Sequence, residues 1–132
     1  MASQGKLIKG AELRAESEAA SFATLLNLAD DNVRRDVFSL LNPEDSSSGR
    51  IQVGMTIVYP GCRTKGHRHP DREEVYFFTR GRGVMEADGE QWEVEAGDTF
   101  YVRPGAFHPT FNPHSVPLEF FWITIKIDPR MP

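Results

Sequence analysis

A chain of 132 residues has room for one hydrophobic core and one domain. Its formal net charge of −4, spread through the sequence, excludes the basic excess that a nucleic-acid surface needs. The lone Cys62 excludes an internal disulfide. The first residues lack an apolar leader, and the longest apolar run, 118–127, is too short for a bilayer, so a cytoplasmic protein with no membrane partner is expected.

Residues 1–35 form an N-terminal segment distinct from the rest of the chain. From Ala11 to Ala29 the composition favours helix, with Phe22, Leu25, Leu26 and Ala29 on one stripe. A short buried strand over 21–28 is the competing reading. From residue 36 to 132 the texture is that of strands. Val37–Leu41 is a short apolar run that stops at Asn42-Pro43, and the serine-rich stretch 46–49 is a loop. Ile51–Tyr59 reads as a long strand ended by Pro60-Gly61, and Glu74–Thr79 as another ended by Arg80-Gly81. Val84–Ala87 and Glu90–Glu95 flank Asp88-Gly89, a two-residue hairpin signal, because both residues tolerate positive φ. Thr99–Val102, His108–Asn112 and Leu118–Ile127 complete the set. Short strands punctuated by turns, with no helical stretch after residue 36, predict an all-β sandwich or barrel.

Three of the four histidines fall in two clusters. His67 and His69 are two residues apart, so on extended backbone their rings share a face. Glu74 lies five positions on, which is the wrong parity for one straight strand; Pro70-Asp71 bends the chain between them and resets the register. Glu74, Tyr76 and Phe78 then share a face of the next strand, with Glu73 on the other. His108 stands apart in sequence, and His114 is a loop residue beyond Pro113. Three imidazoles and a carboxylate suit a divalent transition ion (Mn, Fe, Co, Ni, Cu or Zn) and are too rich in nitrogen for Ca or Mg.

The stretch Gly61-CRTKG-His67-Arg68-His69-PDRE-Glu74-VYFFTR-Gly81 resembles the first motif of the cupin superfamily, G-x5-H-x-H-x3,4-E-x6-G, with every fixed position filled. Gly97-DTFYVRP-Gly105-AF-His108-PTF-Asn112 resembles the second, G-x5-P-x-G-x2-H-x3-N, except that Arg103 replaces the usual proline. Fifteen residues, 82–96, separate them, similar to the spacing of small microbial cupins. The resemblance covers roughly 36–127 and implies a single double-stranded β-helix, or jelly-roll barrel, in which His67, His69, Glu74 and His108 bind one divalent metal ion. Arg103 would then be a guanidinium near the barrel mouth, able to clamp a carboxylate or phosphate, or else a surface residue.

A fold of this kind does not name a reaction. The presence of Glu74 disfavours thiol oxidation, since members with a three-histidine site for that chemistry usually lack it. The TKGHRH…EEVY string resembles the metal-site segment of cupin-type sugar-phosphate isomerases. These features imply Lewis-acid enolisation of a small hydroxy-carbonyl or carboxylate substrate, leading to isomerisation or elimination, with Tyr76 or Glu74 as base. Phe78, Phe107, Phe120 and Trp122 would form a dry wall. A dioxygenase of an enediol or phenolic substrate is the alternative, and a non-catalytic small-molecule binding cupin is a third. The last strand is apolar on both parities, Phe120 and Trp122 on one and Phe121, Ile123 and Ile125 on the other. This leaves a face for the N-terminal segment or a second subunit, and a homodimer is expected.

Overall fold

The computed structural model describes residues 4–14 and 33–128. Eight strands run through it: β1 (Arg35–Leu41), β2 (Ile51–Val58), β3 (Arg72–Arg80), β4 (Arg82–Ala87), β5 (Glu90–Glu95), β6 (Thr99–Val102), β7 (Thr110–Phe111) and β8 (Leu118–Lys126). They form a five-stranded sheet in the order β1-β2-β8-β3-β6 and a three-stranded sheet in the order β5-β4-β7, antiparallel throughout. This is the all-β jelly roll that the strand pattern and motifs predict. The largest shortfall is at His108–Asn112, where the ladder to β4 spans only Thr110–Phe111. The β4–β5 hairpin turns on Asp88 and Gly89 with φ of 47° and 86°, as its dipeptide requires.

Of the expected N-terminal helix, only the start lies among the described residues. Gly10–Glu12 is a single 3-10 turn and Leu13 is already extended. The stripe Phe22, Leu25, Leu26, Ala29 and the alternative strand over 21–28 lie outside the described residues.

Period-two alternation sorts the large sheet into an inner and an outer face. Cross-strand pairing aligns the inner residues in rows. Gln52, Thr124 and Glu74 make one row across β2, β8 and β3; Gly54, Trp122 and Tyr76 the next; Thr56, Phe120 and Phe78 the third. Val58 pairs with Leu118 beyond them. Polarity therefore falls along the barrel axis. Val58, Phe78, Met85 and Leu118 are fully buried at the apolar end, where Phe120 packs on Phe78 at 5.3 Å between ring centres. Tyr76 stacks on Phe120 at 5.1 Å and forms the floor between this core and the polar end.

The outer face of β8 matches the expected two-sided strand. Phe121 shares a groove with Val53, Met55, Leu40 and Leu41, and Ile8 and Leu13 lie in the same groove. Lys6 ties this segment down through an ion pair to Asp45 at 2.5 Å. Ile123 and Ile125 remain exposed at 40% and 36%.

Candidate metal centre

The site is built by two segments lying against the open, polar end of the large sheet. Residues 61–69 and 105–112 run antiparallel, joined by backbone hydrogen bonds from Gly61 and Thr64 to the carbonyls of Asn112 and Thr110, from His108 to that of His67, and from Gly105 to that of His69. Their geometry is irregular, so His67 and His69 sit outside the named strands. The backbone is still extended enough to keep the two rings together, 4.3 Å apart. Gly66 makes the approach possible: its φ is +83°, and a Cβ there would meet the Phe107 ring at 2.7 Å. At the far end the buried Asn112 donates to the carbonyls of Val58 and Val116, at 3.0 and 2.9 Å, and pins the second segment to the barrel.

One donor atom from each of His67, Glu74 and His108 lies within 4.8 Å of the others. His69 falls outside this group of three but lies beside it: its Nε2 is 3.9 Å from Glu74 Oε1, and its ring is 6.1 Å from that of His108. Glu74 and His108 are buried, at 3% and 2% exposure, while His67 faces the opening. Their inner atoms, Glu74 Oε2 and His108 Nε2, point at one another: they form an ion pair if the ring is protonated, and with the ring neutral neither has a donor facing it. His108 Nδ1 stands 2.8 Å from the carbonyl of Ala106 and so carries the ring proton when the imidazole is neutral. That leaves a lone pair on Nε2 aimed at a carboxylate oxygen. Two buried acceptors this close are stabilised by a cation that both can reach, a proton or a metal ion, and nitrogen with oxygen donors suits a transition ion.

Electrostatics keep two of the imidazoles in the ligating form. Burial, and then the positive charge that His108 and His69 would carry, holds His67 down to about 4. Burial also lowers His69. His108 differs: burial opposes its charging, but the hydrogen-bonding distance to Glu74 and the Ala106 carbonyl outweigh this and raise it. A proton in that gap would compete with a metal ion. Burial, reinforced by the charge of Glu74, pushes the Tyr76 phenol well above its ordinary value.

The model of the cupin domain matches residues 54–124. The chain belongs to the cupin family. This cupin is 38% identical over 80 residues to protein MJ1618 of Methanocaldococcus jannaschii, a match covering 61% of this chain and 64% of the relative. It is 33% identical over 103 residues to glucose-6-phosphate isomerase of Thermococcus litoralis, covering 68% and 53% respectively. The chain thus spans a little over half to just under two thirds of these relatives. Among solved structures, a predicted oxalate decarboxylase of Thermotoga maritima superposes with a TM-score of 0.74 at 21% identity, over 92% of this chain and all of that one, which supports the fold.

Around the centre the barrel leaves a cavity of about 250 Å³. All four residues expected as ligands line it, and so do Tyr76, Phe120 and Trp122. Phe78 lies beneath Tyr76 in the core, and Phe107 packs against Gly66 under the guanidinium of Arg68, so neither forms the wall. Arg103 is not brought to this cavity. It is exposed and lines a separate groove with Trp92 and Tyr101, because the turn before Gly105 carries it to the outside of the barrel. Glu73 is on the outer face opposite Ile125, as its parity requires. His114 lies in another groove, with Arg82 and Asp98.

The cations that do line the cavity, Arg35, Lys65 and Arg72, are absent from the sequence-based set. Arg72 was open to detection, since it is two residues before Glu74 and shares its face. Arg35 was not: it arrives on the edge strand β1, and a bridge between Val33 and Arg63 lays it beside the 63–67 segment.

Proposed function

We propose that this cupin holds one divalent transition-metal ion on His67, His69, Glu74 and His108 and enolises a small hydroxy-carbonyl or carboxylate metabolite, as an isomerase or lyase. The observation that carries the reading is the buried pair of lone-pair donors, Glu74 Oε2 and His108 Nε2, facing each other at the floor of a cavity open to small molecules. Relatives named glucose-6-phosphate isomerase, at 31–33% identity, favour sugar phosphates as the first substrates to try.

The ion supplies Lewis acidity toward two substrate oxygens when bound. The rest falls to the chain. Glu74 presents its two oxygens to different neighbours, Oε2 to His108 and Oε1 to His69, and is the base that takes the α-proton. Returning that proton to the adjacent carbon moves the carbonyl by one position; losing a leaving group from the β-carbon instead gives elimination. Tyr76, held protonated by its surroundings, donates from its hydroxyl to the substrate oxygen that gains charge. Phe120 and Trp122 keep water from the face on which the proton moves. A second copy of the chain covers Ile123 and Ile125, giving a homodimer.

Metal analysis by mass spectrometry of untagged protein beside His108→Ala tests the centre: about one transition-metal ion per chain is expected, lost in the variant. Deuterium uptake at C2 of glucose 6-phosphate and at C1 of fructose 6-phosphate in D2O, monitored by NMR, tests the chemistry. Oxygen consumption without exchange would replace this reading by a dioxygenase. Metal without either reaction on a broader panel of hydroxy acids and sugars would leave a binding cupin.

A further inference from the structure

We infer that Arg35 is the anchor for an oxyanion, a phosphate or carboxylate, carried by the substrate of the metal centre. The inference rests on the functional reading above and names the substrate class for that site.

Charge is the first argument. The molecule as a whole is acidic, at −4, yet its cavity is lined by three cations, Arg35, Lys65 and Arg72, against the single carboxylate of Glu74. A divalent ion on the four ligands would make the cavity more positive still. A neutral sugar or diol would leave that charge uncompensated in a partly enclosed space, whereas an anion would balance it.

The second argument is that the three cations are not equivalent. Arg72 lies 3.9 Å from Asp71 and 3.5 Å from the side-chain oxygen of Gln52, so its charge has local company. Lys65 is exposed at the rim. Arg35 is half-buried, and its guanidinium makes no hydrogen bond or ion pair among the described residues. Burial pulls its guanidinium below its ordinary value, and its charge is felt at His67. Guanidinium groups carry five donors in a planar fork that fits carboxylate and phosphate oxygens. A half-buried fork with no protein partner is only partly hydrated, and an oxyanion in the cavity would complete its hydrogen bonds.

The third argument is position. The Val33–Arg63 bridge fixes the start of β1 beside the segment carrying His67, so Arg35 lines the cavity from β1, with β2 and β8 between it and the strand that carries Arg72. Thr64, Thr56 and Thr124 also line the cavity, the first two already accepting from Thr110 N and Trp122 Nε1. At about 250 Å³ the cavity falls below the range of roughly 300–1,000 Å³ typical of drug-sized ligand sites. The substrate is therefore a small metabolite whose oxyanion meets Arg35 while its other oxygens would lie toward the candidate donors His67, Glu74 and His108.

Binding, measured without turnover, separates this from the enolisation reading. Trp122 lines the cavity and donates from Nε1 to Thr56 at 3.0 Å, so its indole N–H resonance reports occupancy. Trp92→Phe assigns that resonance. The as-purified protein is titrated with two pairs, glucose 6-phosphate against glucose and lactate against propane-1,2-diol. At least one charged member is expected to bind about tenfold or more tighter than its neutral partner, the scale of one charge-assisted hydrogen bond. Arg35→Gln should abolish that preference at unchanged metal content, and Arg35→Lys should recover part of it. A larger preference in the first pair assigns a phosphate, in the second a carboxylate. Equal affinity within both pairs, an unchanged preference in Arg35→Gln, or no binding by any of the four overturns the inference. Failure of deuterium exchange alone would overturn the enolisation reading and leave this one standing.

Discussion

Tyr76 stands one inward step from Glu74 on β3, edge-on to the His108 ring at 5.9 Å and stacked on Phe120. Burial and the neighbouring carboxylate both penalise its phenolate, so the hydroxyl acts as a donor. Phenylalanine in its place would keep the stacking and remove only the proton. Tyr76→Phe is therefore expected to lower turnover by about 10²–10⁴-fold, the range of one acid–base group, while metal content stays at the wild-type level. Steady-state rates beside metal analysis check this, and a variant that also loses its metal would move Tyr76 to a purely structural role.

At the level of elements, the cavity wall depends on an exchange of volume between two strands. Gly54 on β2 pairs with Trp122 on β8, and the indole lies over the glycine, where an added Cβ would overlap its six-membered ring. The missing side chain lets the indole lie flat and reach Thr56 with its N–H. Gly54→Ala must displace the indole, and over-packing of this kind costs about 1–3 kcal/mol. Urea unfolding is expected to register that loss, with the Trp122 indole resonance shifted in the folded variant. An unshifted resonance would mean that the strand pair yields instead of the side chain.

For the whole molecule, the question is what covers the outer face of the large sheet. Residues 4–14 take the part around Phe121, but Phe77, Ile123 and Ile125 stay exposed on neighbouring strands, beside Tyr101 at 52%. Val75 pairs with Ile123 and with Tyr101, so these side chains form one continuous apolar patch. Light scattering is expected to give the mass of a dimer for the wild type and of a monomer for Ile123→Glu, with metal content preserved in both. A monomeric wild type would end the proposal of a second copy on this face.

The alternation of side chains and the turn dipeptides made the strands readable, and local spacing made the candidate metal donors readable. His67, His69 and Glu74 lie within eight residues, and Asp88-Gly89 dictates its own hairpin through φ. Such features depend on neighbours in sequence, whose geometry is limited by sterics to few outcomes. The expected His108–Asn112 strand is longer than the observed ladder: β4 runs on to Ala87, and it and the turn after it bond the carbonyls of Pro109 and Phe107, but Pro109 has no N–H to return a bond and the ladder is regular only over Thr110–Phe111. Arg103 went to the outside because turn direction, not composition, decides which way a loop residue faces. The charge character of the cavity was hidden for the same reason. Arg35 meets His67 through a bridge between residues 33 and 63, and Gly54 meets Trp122 through register set along a whole sheet. Local pattern was enough for the fold class and for naming the candidate donors, of which the structure groups His67, Glu74 and His108. Only the tertiary structure decided which cations, glycines and aromatic rings surround that set, because those contacts form between strands that are distant in the chain and are fixed by cooperative packing of the barrel.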